Sequence, residues 1–240
     1  MNGGSLLPKD AKSFNREFWF NALLLAMLAF FVFQMARISM AYVPYNTDVG
    51  FLRIKQDYID LDVWRTAFFV HVYMSIWVLL AGFTQFSKRL RARHRKLHRA
   101  FGYIYATDVM LITGPAGFIM GIYANGGMTS KISFVALATL WIYFTAKAVA
   151  KARSGDYLAH RDYMIRSYAL TLSAVTLRAW KWSIANTLEL PPMDVYRAVA
   201  WLGWVPNLAF AEFLIWKAKQ RVTRRIAGSR PAFMDPLNKG

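Results

Sequence analysis

KRLRARHRKLHRAFGYIY, residues 88–105, decides the fold. Residues 88–99 hold Lys88, Arg89, Arg91, Arg93, Arg95, Lys96 and Arg99, a cationic density that no bilayer core accepts. They read as a cytoplasmic connection between membrane spans. The second half of the stretch, His98-Arg99-x-x-Gly102-x-x-Tyr105, turns into a long apolar segment. A charged joint opening into an apolar rod predicts a polytopic helical membrane protein, and the chain divides on the same pattern in both directions.

The composition agrees. Of 240 residues, 56% are hydrophobic and 16% aromatic, with a net charge of +17. That is too apolar for a soluble domain of this size and fits one integral membrane domain over residues 1–240. The positive charge lies between and after the apolar runs rather than along one face, so topology explains it better than nucleic acid does. With no cysteine there is no disulfide, thiolate metal site or thiol nucleophile. Any cofactor ligand is nitrogen or oxygen.

Outward from the basic joint, the reading gives six spans. A polar lead-in precedes a first span at 18–43, longer than the core of a cleaved signal peptide. An external loop with Asp48, Asp57, Asp60 and Asp62 leads to a second span at 66–87. The third, 100–124, contains Gly114-Pro115-Ala116-Gly117, where the proline removes a helical hydrogen bond and predicts a kink. Asn125-Gly126-Gly127 turns into a fourth span at 132–150. A second basic connection around Ser154-Gly155-Asp156 leads to a fifth at 162–186. Pro191-Pro192 precedes a sixth at 198–216, followed by a basic tail. Twenty-one Lys and Arg fall in the lead-in, the two basic connections and the tail, against five in the outer loops. That asymmetry predicts both termini in the cytoplasm.

Ionisable residues within spans are costly and are functional suspects by default, with buried pairing as the plain alternative. They are His71, Asp108, Arg166, Arg178, Lys181 and Glu212, with Tyr105 a further buried polar group. On the fifth span, His160 and Arg178 are five helical turns apart, so they share a face with Ser167 and Thr171. The opposite face offers Leu170, Leu172 and Leu177 to apolar neighbours or lipid. The second span carries His71, Ser75, Gly82 and Gln85 along one face, with small residues permitting close contact. Depth sorts these groups into an inner layer of His98, His160, Arg166 and Glu212 and an outer layer of His71, Arg178 and Lys181. Asp108 or Glu212 could pair with Arg166. Gly102 and Ser167 are small enough to leave space between helices.

The run at 71–85, the His98-Arg99-x-x-Gly102-x-x-Tyr105 motif, and His160-Arg161-x-x-Met164-x-Arg166-Ser167-Tyr168-Ala169 followed by Thr176-Leu177-Arg178 resemble the bacterial predicted membrane proteins of domain-of-unknown-function family 2306. The resemblance covers about 66–181. It implies an all-helical, multi-pass protein of the bacterial inner membrane and brings no activity with it. His94 stands outside the pattern, as a solvated loop residue. More distantly, the HRxxG step is similar to motifs of membrane cytochrome b and ferric-reductase-like domains, whose haems sit between histidines on neighbouring helices. Here no span holds two histidines, so the resemblance implies at most one haem.

Three functions follow. In a redox protein, haem b or a quinone occupies the polar interior, bound by His98, His160 and His71, with Arg178 on a propionate or quinone oxygen and a membrane redox partner. His98 and His160 are then the metal ligands. A proton or solute transporter would use the buried ionisable groups as a relay, although no paired broken helices are visible in the sequence. In an accessory or assembly subunit, the charges only hold the bundle. The basic clusters determine topology first and meet anionic lipid headgroups second. No hydrolase motif is present.

Overall fold

The computed structural model describes residues 9–43 and 45–228; the start of the predicted lead-in and the end of the basic tail lie outside these. The described residues are helical, with no strand among them. Contacts divide the chain into two units between Ile59 and Asp60.

The first unit contains the long helix α1 (Lys9–Met40) and two short 3-10 helices, Gly50–Ile54 and Gln56–Tyr58. Gly50 has φ of +54°, and a Cβ there would lie 2.9 Å from the Tyr42 hydroxyl. Glycine fits both demands. The same hydroxyl accepts the Phe51 N–H at 3.1 Å. The predicted external loop is thus partly helical.

The second unit runs α2 (Asp62–Thr84), α3 (Lys88–Arg93), α4 (Arg95–Thr107), a π-helical turn (Asp108–Thr113), α5 (Gly114–Ile122), α6 (Met128–Arg153), α7 (Tyr157–Thr171), α8 (Ser173–Thr187), α9 (Pro192–Leu202) and α10 (Val205–Gly228). Among the described residues, four rods are long and apolar enough to cross a membrane: Asp62–Thr84, Arg95–Ile122, Met128–Arg153 and Pro192–Arg224, with mean hydropathies of 1.3 to 1.7. The rod α4–π–α5 packs against α2 and α6, α7 packs against α6 and α10, and α8 against α9. Helices apolar on nearly every side suit surroundings that are apolar on every side, which is the bilayer's contribution.

The predicted rods are interrupted in three places. In the third span, Pro115 has no N–H to return to the preceding turn, and the ladder widens into the π-turn just before it. The Gly114 N–H reaches back to the Val109 carbonyl. A Cβ on Gly114 would stand 2.2 Å from that oxygen and 2.7 Å from the Ile142 side chain, so only glycine fits.

The predicted fifth span is two 15-residue helices meeting at Leu172, whose ψ of −10° loosens the turn. The sixth is broken at Gly203 and Trp204, just before Pro206. These two breaks lie side by side. Asn207 Nδ2 donates to the Ala169 carbonyl at 3.1 Å, to Thr176 Oγ1 at 3.0 Å and to the Gly203 carbonyl at 3.3 Å. Thr176 Oγ1 also donates to the Gly203 carbonyl.

Candidate functional site

The centre of the second unit is a closed set of hydrogen bonds joining α4, α6 and α7. Tyr105 lies within 2.7 Å of Ser167 Oγ and 2.8 Å of Thr171 Oγ1. Thr145 donates to the Trp141 carbonyl at 2.7 Å, and Thr171 to the Ser167 carbonyl at 3.2 Å. With those protons committed, Ser167 is left to donate to Thr145 Oγ1 at 2.7 Å, and Tyr105 to Ser167 or Thr171. Trp141 Nε1 donates to Thr171 Oγ1 at 3.0 Å. Every member is satisfied by protein alone, so this cluster is a fastening. Gly82 lets α2 approach it: a Cβ there would sit 2.6 Å from the Tyr168 ring and 2.8 Å from that of Tyr105.

The space expected beside Gly102 and Ser167 is therefore filled. Ser167 is occupied by its two partners, and a Cβ on Gly102 would be 3.1 Å from Gln85 Oε1. At these two positions small residues admit neighbouring side chains.

His98 and His160 occupy the first turns of α4 and α7. The turn bearing His160 is set by Asp156, which accepts the Ala159 N–H at 3.1 Å and faces Lys151 Nζ at the same distance. Those donors, the backbone N–H foremost, hold the Asp156 carboxyl below the usual aspartate range. His160 Nδ1 lies 2.9 Å from the Ala148 carbonyl on α6. A carbonyl can only accept, so Nδ1 carries a proton and Nε2 is the nitrogen left for another partner. His98 is within electrostatic reach of His160 and Arg91, and its Nδ1 is buried without a hydrogen-bond partner.

A second constellation lies on α2 and the π-turn. His71 Nδ1 donates to the Thr113 carbonyl at 3.0 Å, and Thr113 Oγ1 donates to Asp108 Oδ1. Gly117 makes room for it, because a Cβ there would be 3.1 Å from the imidazole.

Arg166 is taken by Glu212 in a two-point pair, Nε to Oε1 at 2.5 Å and Nη2 to Oε2 at 2.8 Å, which ties α7 to α10. Its guanidinium also lies over the Phe144 and Tyr163 rings, 5.9 and 5.3 Å from their centroids. Of the two pairings open to Arg166, the structure has the one with Glu212. Glu212 and Lys181, expected among the buried polar residues, are exposed on the protein's own surface. Arg178, expected on the inward stripe, is exposed too, with Nη1 donating to the Ala174 carbonyl at 2.6 Å. The break at Leu172 interrupts the continuous helical line that placed His160 and Arg178 on one face. Arg178 remains within electrostatic reach of His71.

Trp141, Thr145, Thr113 and Asn207 were absent from the sequence-based candidates. Each is a neutral polar residue in an apolar run, and only Thr113 and Asn207 have a visible signal, the adjoining Gly-Pro and Pro. Although the two breaks are paired, the carbonyls that a bound cation would need there are already served by Asn207 and Thr176.

Long apolar helices, charged joints and polar groups turned toward one another define a multi-pass helical membrane protein. The chain belongs to the family described as Predicted membrane protein (DUF2306), whose model matches residues 68–215, farther toward the C-terminus than the motifs alone reach. No curated protein and no solved structure matches it.

Proposed function

We propose that this is a membrane redox protein of the bacterial inner membrane in which His98 and His160 hold a haem b. The observation that supports it is the state of the two imidazoles. His160 is tied through Nδ1 to a backbone carbonyl, which leaves Nε2 free of that bond, the usual arrangement of a ligating histidine. His98, within its electrostatic reach, has a buried Nδ1 with no protein partner. Two imidazoles are the donor set such an iron would need, and Arg91, Arg95 and Arg99 would supply cations for propionates. When bound, the haem would provide one-electron transfer. His71 is excluded from this ligand pair, because it lies on α2 against α5 while the other two begin α4 and α7. In this reading α7 and α8 cross the membrane together, α1 supplies the first of six spans, the basic joints face the cytoplasm and anionic headgroups, and a membrane redox partner exchanges the electron.

The test is an absorption spectrum of protein purified from haem-sufficient cells, oxidised and then reduced. A Soret band is expected, lost in His98→Ala and in His160→Ala and retained in His94→Ala. Monodisperse wild-type protein without a Soret band defeats the proposal.

A further inference from the structure

Two aspartates are equally buried, each 6% exposed, and their surroundings differ in kind. Asp162 has Arg161 Nη2 at 2.8 Å and Lys219 Nζ at 3.6 Å. Two cations therefore face it. Asp108 has the Thr113 hydroxyl and, among the described residues, no Lys, Arg or His in an ion pair. The cation that could have answered it, Arg166, is committed to Glu212.

Position sharpens the contrast. Asp108 is thirteen residues from Arg95 and fourteen from Ile122, the ends of a rod apolar enough to span a membrane. At about 1.5 Å per residue it is roughly 14 Å beyond Arg99, the last cation of the basic joint, near the middle of a hydrocarbon core about 30 Å thick. A carboxylate there, without a cation, is far less favourable than a neutral carboxylic acid.

The groups facing it from each packed element supply no hidden counter-charge. From α2 comes His71, which reaches the Thr113 carbonyl rather than the carboxyl. Tyr105, on the preceding turn of α4, is engaged with Ser167 and Thr171. α5 carries no ionisable group, and along 138–145 of α6 the one titratable side chain is Tyr143, which is exposed.

We propose that Asp108 is a proton-binding site in the middle of the membrane, with Thr113 as its hydrogen-bonding partner and His71 as a positioning residue acting through the Thr113 carbonyl. The proton sits on the Asp108 carboxyl as an ordinary O–H, and binding or release changes that bond alone. The π-turn belongs to the site: it runs from Asp108 to Thr113, so any change in its winding moves acid and partner together. The inference does not depend on a haem.

Infrared spectroscopy of the full-length protein in lipid tests it directly. At neutral pH, wild-type protein should show a carboxylic acid C=O stretch that shifts on exchange into D2O and again when aspartate is labelled with 13C at the carboxyl carbon. The labelling needs no variant and so no refolding. Asp108→Asn, close in shape to the neutral acid, should remove the band, whereas Glu212→Gln should leave it. Thr113→Val should raise its frequency by removing the hydroxyl donor, and His71→Phe should shift it without abolishing it. No aspartate-dependent acid band at neutral pH, or one that persists in Asp108→Asn, overturns the proposal.

Discussion

When the Tyr105 hydroxyl is removed, Ser167 can still donate to Thr145, Thr171 to its own helix, and Trp141 Nε1 to Thr171. Tyr105→Phe therefore costs about one ordinary buried hydrogen bond, roughly 1 kcal/mol. Thr171→Val is different. It leaves the Trp141 N–H with only the Tyr105 oxygen at 3.4 Å, close to an unsatisfied buried donor, which costs about 1–3 kcal/mol. Thermal unfolding in detergent should rank Thr171→Val as the more damaging, and the reverse order would contradict the assignment of protons. The sequence placed Tyr105, Ser167 and Thr171 on polar stripes because helical spacing is periodic. Trp141 and Thr145 were illegible because 138–145 of α6 carries no Asp, Glu, His, Lys or Arg to draw attention to its inward face. The sequence also left Asp108 and Glu212 as equal candidates for Arg166, since a pairing across helices depends on which rods are neighbours.

The interruptions of the rods, of which the sequence predicted the one at Pro115, have local and non-local causes that separate cleanly. Pro115 and Pro206 announce their interruptions, since a missing N–H disturbs any helix that contains it. The break at Leu172 is silent in the sequence, because 162–186 contains neither glycine nor proline. Its cause is tertiary: the Ala169 carbonyl, which an unbroken helix would give to Ser173, accepts instead from Asn207 on α10. One side chain thus stabilises the loosened turns of two rods. Asn207→Ala should destabilise the protein by about 1–3 kcal/mol through the unserved carbonyls. Asn207→Asp should cost more, since it turns a donor into an acceptor facing three oxygens. If Asn207→Ala unfolds at the wild-type temperature, the breaks are held by something other than this residue.

At the scale of the whole molecule, what was most legible was the alternation of apolar rods with basic joints. The bilayer imposes that pattern on every rod separately, whatever its partners. Helix α6 offers the cleanest test of the orientation proposed from it. It is 26 residues long, about 39 Å at 1.5 Å per residue, more than the roughly 30 Å hydrocarbon core. At one end are Gly126 and Gly127 with φ of +83° and +78°, and at the other Gly155 with φ of +77°. These turns tolerate insertion best, since a Cβ at Gly127 or Gly155 would meet nothing within 4 Å. Lys151 and Arg153 lie in the last turn of α6, with Arg161 just beyond, and the joint at 88–99 adds seven more cations. Insertion machinery retains such segments in the cytoplasm. A periplasm-active reporter inserted after Gly127 should therefore be active and one after Gly155 silent, with the opposite result for a reporter that works only in the cytoplasm. Substituting neutral residues for Lys151 and Arg153 should weaken that bias without abolishing it, because the joint at 88–99 remains. If both insertions report the same side in stably inserted protein, α6 does not cross the membrane and the six-span reading fails with it.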